Sequence, residues 1–182
     1  MAILSIPSEQ KQIIDLDEIH FFLKNHGIFF DQWICDIVFD DNASQEEILA
    51  AYSKDLVPFM NNSGYKTADV ISINSATENY GALRTKFLAE HTHSEDEIRF
   101  FVDGKGLFWF NLENEPVFNV LCESGDLISV PAGTKHWFDA GESIPFVKAI
   151  RVFMDKSGWV PDYTNSGIEL KFLNFKIPSS EN

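Results

Sequence analysis

The sequence predicts a mainly β domain, a sandwich or small barrel with helices packed against its N-terminal side. Three observations predict it. From Val70 onward, short apolar runs alternate with turn signals at close spacing, the pattern of an antiparallel sandwich or barrel. The two helix starts with a matching apolar stripe, Asp15 with Glu18 and Ser44 with Glu47, fall in the first third of the chain. The chain has 182 residues, 45% of them hydrophobic and 17 of them phenylalanine, which supplies a sheet-rich core and argues against disorder.

Taken in order, Met1 to Pro7 reads as an edge strand. Asp15 with Glu18 three positions on is a helix start, Leu16, Ile19, Phe22 and Leu23 give the apolar spacing, and Gly27 closes the helix. Ile28 to Phe39 is apolar and holds a short extended piece. Ser44 with Glu47 starts a second helix, whose stripe is Ile48, Tyr52 and Leu56 and which Pro58 kinks or ends. Val70 to Ile73 is a strand, and Tyr80 to Lys86 is ambiguous. Arg99 to Val102 and Leu107 to Phe110 are strands separated by Asp103-Gly104-Lys105-Gly106, a hairpin signal. Val117 to Leu121 and Leu127 to Val130 flank a turn at Glu123 to Gly125, and Phe146 to Phe153 is a long final strand. The expected organisation is one domain: a helical part over 1–66, a barrel core over 67–160, and an extension over 161–182.

A net charge of −14 disfavours nucleic acid and anionic membranes as partners. Two cysteines, Cys35 and Cys122, are no disulfide framework. No signal peptide and no apolar run of membrane-spanning length is legible, so a cytoplasmic protein is the expectation, and a monomer.

The chemistry concentrates in residues 90–99. His91 and His93 share one face if the segment is extended. Ser94 to Asp96 allow a turn, and Glu97 opens the next strand, with Arg99 and Phe101 on its face and Ile98, Phe100 and Val102 turned away. His136 follows in a Pro- and Gly-containing segment. Three imidazoles and one carboxylate are a ligand set for a divalent transition metal. Structural zinc favours cysteine, and neither cysteine lies near the motif. Arg99, two residues from a ligand position, is either an ion-pair partner for Glu97 or a cation that holds an anionic substrate. His20 and His26 read as ordinary helix residues.

The spacing His91-x-His93-x3-Glu97-x6-Gly104, followed by Gly125-x5-Pro131-x-Gly133-x2-His136, resembles the two signature motifs of the cupin family. Thr85 and Ala140 depart from its preferred glycine and asparagine, at positions that are not ligands. Within cupins, the run His91 to Phe101 and the run Cys122 to Asp139 are similar to the acireductone dioxygenase family, over most of residues 70 to 160. The resemblance implies a cupin jelly-roll β-barrel and one Fe²⁺ or Ni²⁺ per chain on His91, His93, Glu97 and His136. It implies a small-molecule substrate, the acireductone 1,2-dihydroxy-3-keto-5-methylthiopentene, cleaved by O2 in methionine salvage. With Fe²⁺ the products are formate and 4-methylthio-2-oxobutanoate; with Ni²⁺ they are formate, carbon monoxide and 3-methylthiopropanoate. It assigns Arg99 to the deprotonated substrate, Asp96 to general-base work, Phe87 and Phe138 to a stacking pair, and Trp159 to the pocket for the substrate's tail. Another cupin dioxygenase, a sugar-phosphate isomerase of the same fold, and a non-catalytic metal-binding cupin remain the alternatives.

Overall fold

The computed structural model of the protein describes residues 1–40, 42–155 and 160–176. In chain order its elements are β1 (Ile3–Ile6), β2 (Lys11–Ile13), α1 (Leu16–Asn25), β3 (Phe29–Gln32), α2 (Gln45–Ala51), α3 (Ser53–Ser63), β4 (Thr67–Ile73) and α4 (Tyr80–Leu88). Then follow β5 (His91–Thr92), β6 (Glu97–Phe110), β7 (Phe118–Glu123), β8 (Asp126–Val130), β9 (His136–Asp139), β10 (Val147–Phe153) and β11 (Asp162–Tyr163).

The strands form two antiparallel sheets that share β6. Its first half lies between β10 and β8, in the order β4-β10-β6-β8-β3. Its second half lies between β9 and β7, in the order β11-β5-β9-β6-β7-β1-β2. The result is an open, cupin-like jelly roll rather than a fully closed barrel.

Alternation along β6 distributes its side chains. Phe101, Phe108 and Phe110 point between the sheets, where they join Val120, Ile128, Val130, Phe138, Val147 and Ala149 in one buried cluster. Ile98, Phe100 and Val102 face outward and are covered by Ile48, Tyr52 and Leu56 of the α2–α3 region. On the outer face of the second sheet, Trp109 and Trp137 stack at 5.4 Å, and Phe172 and Phe175 of the C-terminal segment pack against Trp109. At roughly 25 cal/mol per Å² of apolar surface, these three clusters supply the main driving force for folding.

The helix starts behave as their residues dictate. The Asp15 carboxylate accepts the Glu18 N–H at 3.0 Å, and Ser44 and Glu47 complete a reciprocal capping box. The apolar stripe of the second helix is buried, but the helix breaks at Tyr52 and α3 continues through Pro58. Tyr80 to Leu88 is helical, which settles the ambiguous segment.

Two expectations are corrected. The first strand is not an edge: β1 pairs with β2 on one side and β7 on the other. The expected extended pieces of residues 1–66 are present as β1 and β3, and β2 joins them in extending both sheets. The tetrapeptide 103–106 is not a hairpin but the crossing point of a single 14-residue strand. Gly104 has φ +74°, and a Cβ there would meet the Phe146 carbonyl oxygen at 2.0 Å. That left-handed backbone, with a register irregularity in β10 at Lys148 and Ala149, bends β6 from one sheet into the other. Among the described residues, no helix is long and apolar enough to cross a membrane.

Candidate metal centre

Three short pairings bring the donor residues together. His91 lies in β5 and is directly opposite His136, the first residue of β9. His136 is in turn opposite Phe110 at the end of β6, while Glu97 begins β6 opposite Val130 of β8. His93 follows β5, and its carbonyl accepts the Gly133 N–H at 2.9 Å, tying the first motif to the second.

All four side chains are buried, and one donor atom from each lies within 4.8 Å of the other three. The His93 Nε2 is 2.9 Å from Glu97 Oε2, and His136 Nε2 is 3.2 Å from the same oxygen. The far nitrogens have other work. His91 Nδ1 meets the Ala89 carbonyl at 2.7 Å, and His136 Nδ1 meets the Thr134 carbonyl at 2.8 Å. Donation from Nδ1 to a carbonyl assigns the tautomer that leaves Nε2 as the electron-pair donor.

Electrostatics support the same state. Burial, then the neighbouring His136, pushes the His91 pKa down to about 4, so its imidazole is neutral near pH 7. Burial works to raise the Glu97 carboxyl. Arg99 and the hydrogen bonds from His136 and His93 outweigh it and hold Glu97 well below the usual carboxylate range. A deprotonated carboxylate among buried imidazoles, with the Nδ1 atoms of His91 and His136 anchored, fits a divalent transition metal.

Of the two roles expected of Arg99, the ion pair with Glu97 is the one that the geometry displays. Its Nη2 is 2.8 Å from Glu97 Oε1, and its guanidinium carbon lies 4.3 Å from the centre of the Phe138 ring. A cavity of about 210 Å³ opens beside it and is walled by Phe87, His91, His93, Glu97, Arg99 and Phe138, with Tyr163 and Pro161 at one side. The α4 helix that carries Phe87 is fastened to β9 by a two-pronged pair, Arg84 to Asp139, with both N–O distances 2.9 Å.

Other expected residues fall differently. Phe87 and Phe138 do line the cavity, but their rings meet edge to face at 81° with centres 6.2 Å apart, so they are not a parallel clamp. Phe138 instead offers a face to Arg99. Asp96 is not in the cavity wall: its Oδ1 accepts the Ala132 N–H at 2.9 Å and its Oδ2 accepts the Tyr65 hydroxyl at 2.7 Å. Its turn position aims the carboxylate at the Ala132 loop and at the link after α3, not inward with Glu97. Trp159 lies outside the described residues. Arg151 forms a two-pronged pair with Asp69, its cross-strand neighbour, at 2.8 Å for each bond.

Sequence reasoning missed Tyr163, which faces His91 across the β5–β11 pairing, and Glu90, a buried carboxylate. Tyr163 sits in a polar stretch with no periodicity to mark it. Glu90 carried a faint signal, an acidic residue directly between apolar Leu88-Ala89 and the first donor.

A buried cluster of three histidines and one glutamate between the sheets of an open jelly roll defines a cupin with a candidate metal centre. Residues 8–161 match the ARD/ARD′ family. Acireductone dioxygenase of Picosynechococcus sp. is 60% identical over 166 residues, 91% of this chain and 94% of that protein. Its counterpart from Gluconobacter oxydans is 50% identical over 85% of this chain and 81% of that protein. A solved structure, acireductone dioxygenase from Bacillus anthracis with cadmium ion in active center, superposes with a TM-score of 0.80 at 35% identity, covering 90% of this chain and 98% of that one. The chain belongs to the acireductone dioxygenase family.

Proposed function

We propose that this protein is a metal-dependent dioxygenase that cleaves 1,2-dihydroxy-3-keto-5-methylthiopentene with O2, in methionine salvage, as a cytoplasmic monomer. The observation that carries the reading is the four-donor cluster opening directly onto a cavity that also holds a buried guanidinium. His91, His93, Glu97 and His136 would hold the Fe²⁺ or Ni²⁺, which when bound supplies Lewis acidity and a chelation point for the substrate's oxygens.

The remaining work belongs to the chain. Arg99 balances the charge of the deprotonated enediol. It is pre-oriented by Glu97 on one side and Phe138 beneath, so little order is lost when substrate arrives. Phe87, Phe138, Ile71 and Leu83 form an apolar wall that excludes water around the reacting carbons and accepts the methylthio tail. Asp96 serves here through its hydrogen bonds to Tyr65 and Ala132, which fix the turn that presents Glu97.

The test is to load the protein with each metal, follow O2 uptake with acireductone, and identify products from the same sample. The iron form is expected to give formate and 4-methylthio-2-oxobutanoate. The nickel form is expected to give formate, carbon monoxide and 3-methylthiopropanoate. No O2 uptake with either metal would overturn the reading in favour of a binding module.

A further inference from the structure

We propose that Glu90 is a positioning residue that fastens the segment 160–168 across the side of the metal cavity, so that this segment becomes part of the substrate-binding wall. The inference rests on the dioxygenase reading for its kinetic half alone.

Glu90 is 2% exposed, yet it is not a member of the donor cluster. Its carboxylate gathers three donors from two distant parts of the chain. Asn111, just past the end of β6, donates through Nδ2 at 2.6 Å. The Ser166 hydroxyl donates at 2.6 Å, and the Thr164 hydroxyl donates to the same carboxylate oxygen. The Glu90 carbonyl also accepts the Thr164 N–H at 3.1 Å. A buried carboxylate with a full set of donors is a firm anchor, because charge-assisted bonds in a low-dielectric setting are stronger than neutral ones.

What the anchor holds bears on the site. Thr164 follows β11 directly, and β11 covers the open edge of β5, placing Tyr163 opposite His91 and Asp162 opposite Thr92. The Tyr163 ring centre is 6.0 Å from that of His91, and Tyr163 and Pro161 wall the cavity. On its other edge β5 meets β9 at a single residue pair. β11 has two residues and β5 has two, too few for the ladder to hold the segment by itself. Glu90 therefore supplies the fixation that the strands lack. Farther along, Phe172 and Phe175 pack on Trp109, so the segment is pinned at two points with the cavity wall before the first.

Contacts from such a wall act on bound substrate and transition state alike, so their loss raises KM more than it lowers kcat. The decisive variant is Thr164→Val with Ser166→Ala, which removes the two hydroxyl donors without altering any residue of β5. Amide hydrogen exchange over residues 160–168, metal content and steady-state kinetics would be measured on the metal-loaded protein. We expect exchange in that segment to accelerate at least tenfold, metal content to match wild type, and KM to rise about tenfold with kcat within about threefold. Glu90→Gln keeps an acceptor for Asn111 and lets the hydroxyls reverse, so it should fall between wild type and the double variant.

Unchanged exchange in the double variant overturns the fastening. Faster exchange with unchanged KM overturns the assignment of the segment to the binding wall. Metal loss in the double variant overturns it too, since the segment would then act on the donors. If wild type does not turn over acireductone, the dioxygenase reading fails by itself; exchange still decides the fastening, and acireductone binding by calorimetry replaces KM.

Discussion

Gly106→Ala tests the column of contacts that seats Arg99. Gly106 lies in β6, and a Cβ there would stand 2.1 Å from Phe138 Cζ and 2.4 Å from Cε2. Phe138 is buried with Arg99 over its face, so a displaced ring either disturbs Arg99 or intrudes on the cavity that it walls. Reaching ordinary contact requires a shift of about 1.3–1.9 Å, in an interior packed like a crystal. Overpacking of this kind costs about 1–3 kcal/mol, and the stiffer unfolded chain returns about 0.5–1 kcal/mol. The net loss is about 1–2 kcal/mol, a Tm decrease of roughly 3–6 °C for a chain of this size. Because Arg99 rides on the displaced ring, kcat/KM should fall by about ten- to a hundredfold. Calorimetry and O2 uptake on the metal-loaded protein measure both. Phe138→Leu in the Gly106→Ala background should recover part of the stability, giving a favourable coupling in a double-mutant cycle. A Gly106→Ala protein that melts at or above wild type with full kcat/KM would sink the column argument.

Chelation of the metal, or His136→Ala, should reduce O2 uptake to background; at a metal concentration a hundredfold above Kd, chelation should also lower Tm by about 5–10 °C, read by calorimetry with and without chelator. Arg99→Lys removes the planar group from above Phe138 and should cost roughly 2 kcal/mol in transition-state stabilisation, about thirtyfold in kcat/KM with metal content unchanged; full activity would show that any cation suffices. The metal-free protein should lose stability in mild acid. The folded His91 pKa, about 4, lies below its unfolded value near 6.5, so the unfolded state binds more protons between the two. Stability then falls as pH drops from about 6.5 to about 4, by up to about 3 kcal/mol, in urea melts; a flat profile through that window would contradict the burial of His91.

The donor set was legible because metal ligation demands particular residue types, and strand geometry demands particular spacings. His91, His93 and Glu97 could be placed on common ground before any coordinates, and so could the inward face of Glu97, Arg99 and Phe101. The helix caps at Asp15 and Ser44 were legible for a similar reason, since they depend on residues three apart. What failed was long-range. Asp103-Gly104-Lys105-Gly106 has the composition of a turn, and only the Phe146 carbonyl packed against Gly104 makes it a strand crossing. Asp96 sits beside a donor in sequence, but Tyr65, in the link between α3 and β4, and a loop amide, Ala132, take its carboxylate. Phe138 was expected to clamp a ligand against Phe87, whereas Arg99 takes its face. In each case the deciding neighbour lies more than thirty residues away, beyond the reach of any local pattern.

The shared strand has a practical consequence for anyone who labels or rewires this molecule. By composition, residues 103–106 invite a tag or a fused module. An insertion there would interrupt both sheets at once and sever the strand that runs from Glu97 to the partner of His136. The turn at Glu113 to Glu115, exposed and between β6 and β7, is the permissive alternative. Cutting the chain at that turn leaves β6 whole and every donor on an intact strand or loop, so a permuted protein with termini there is the version to build for labelling studies.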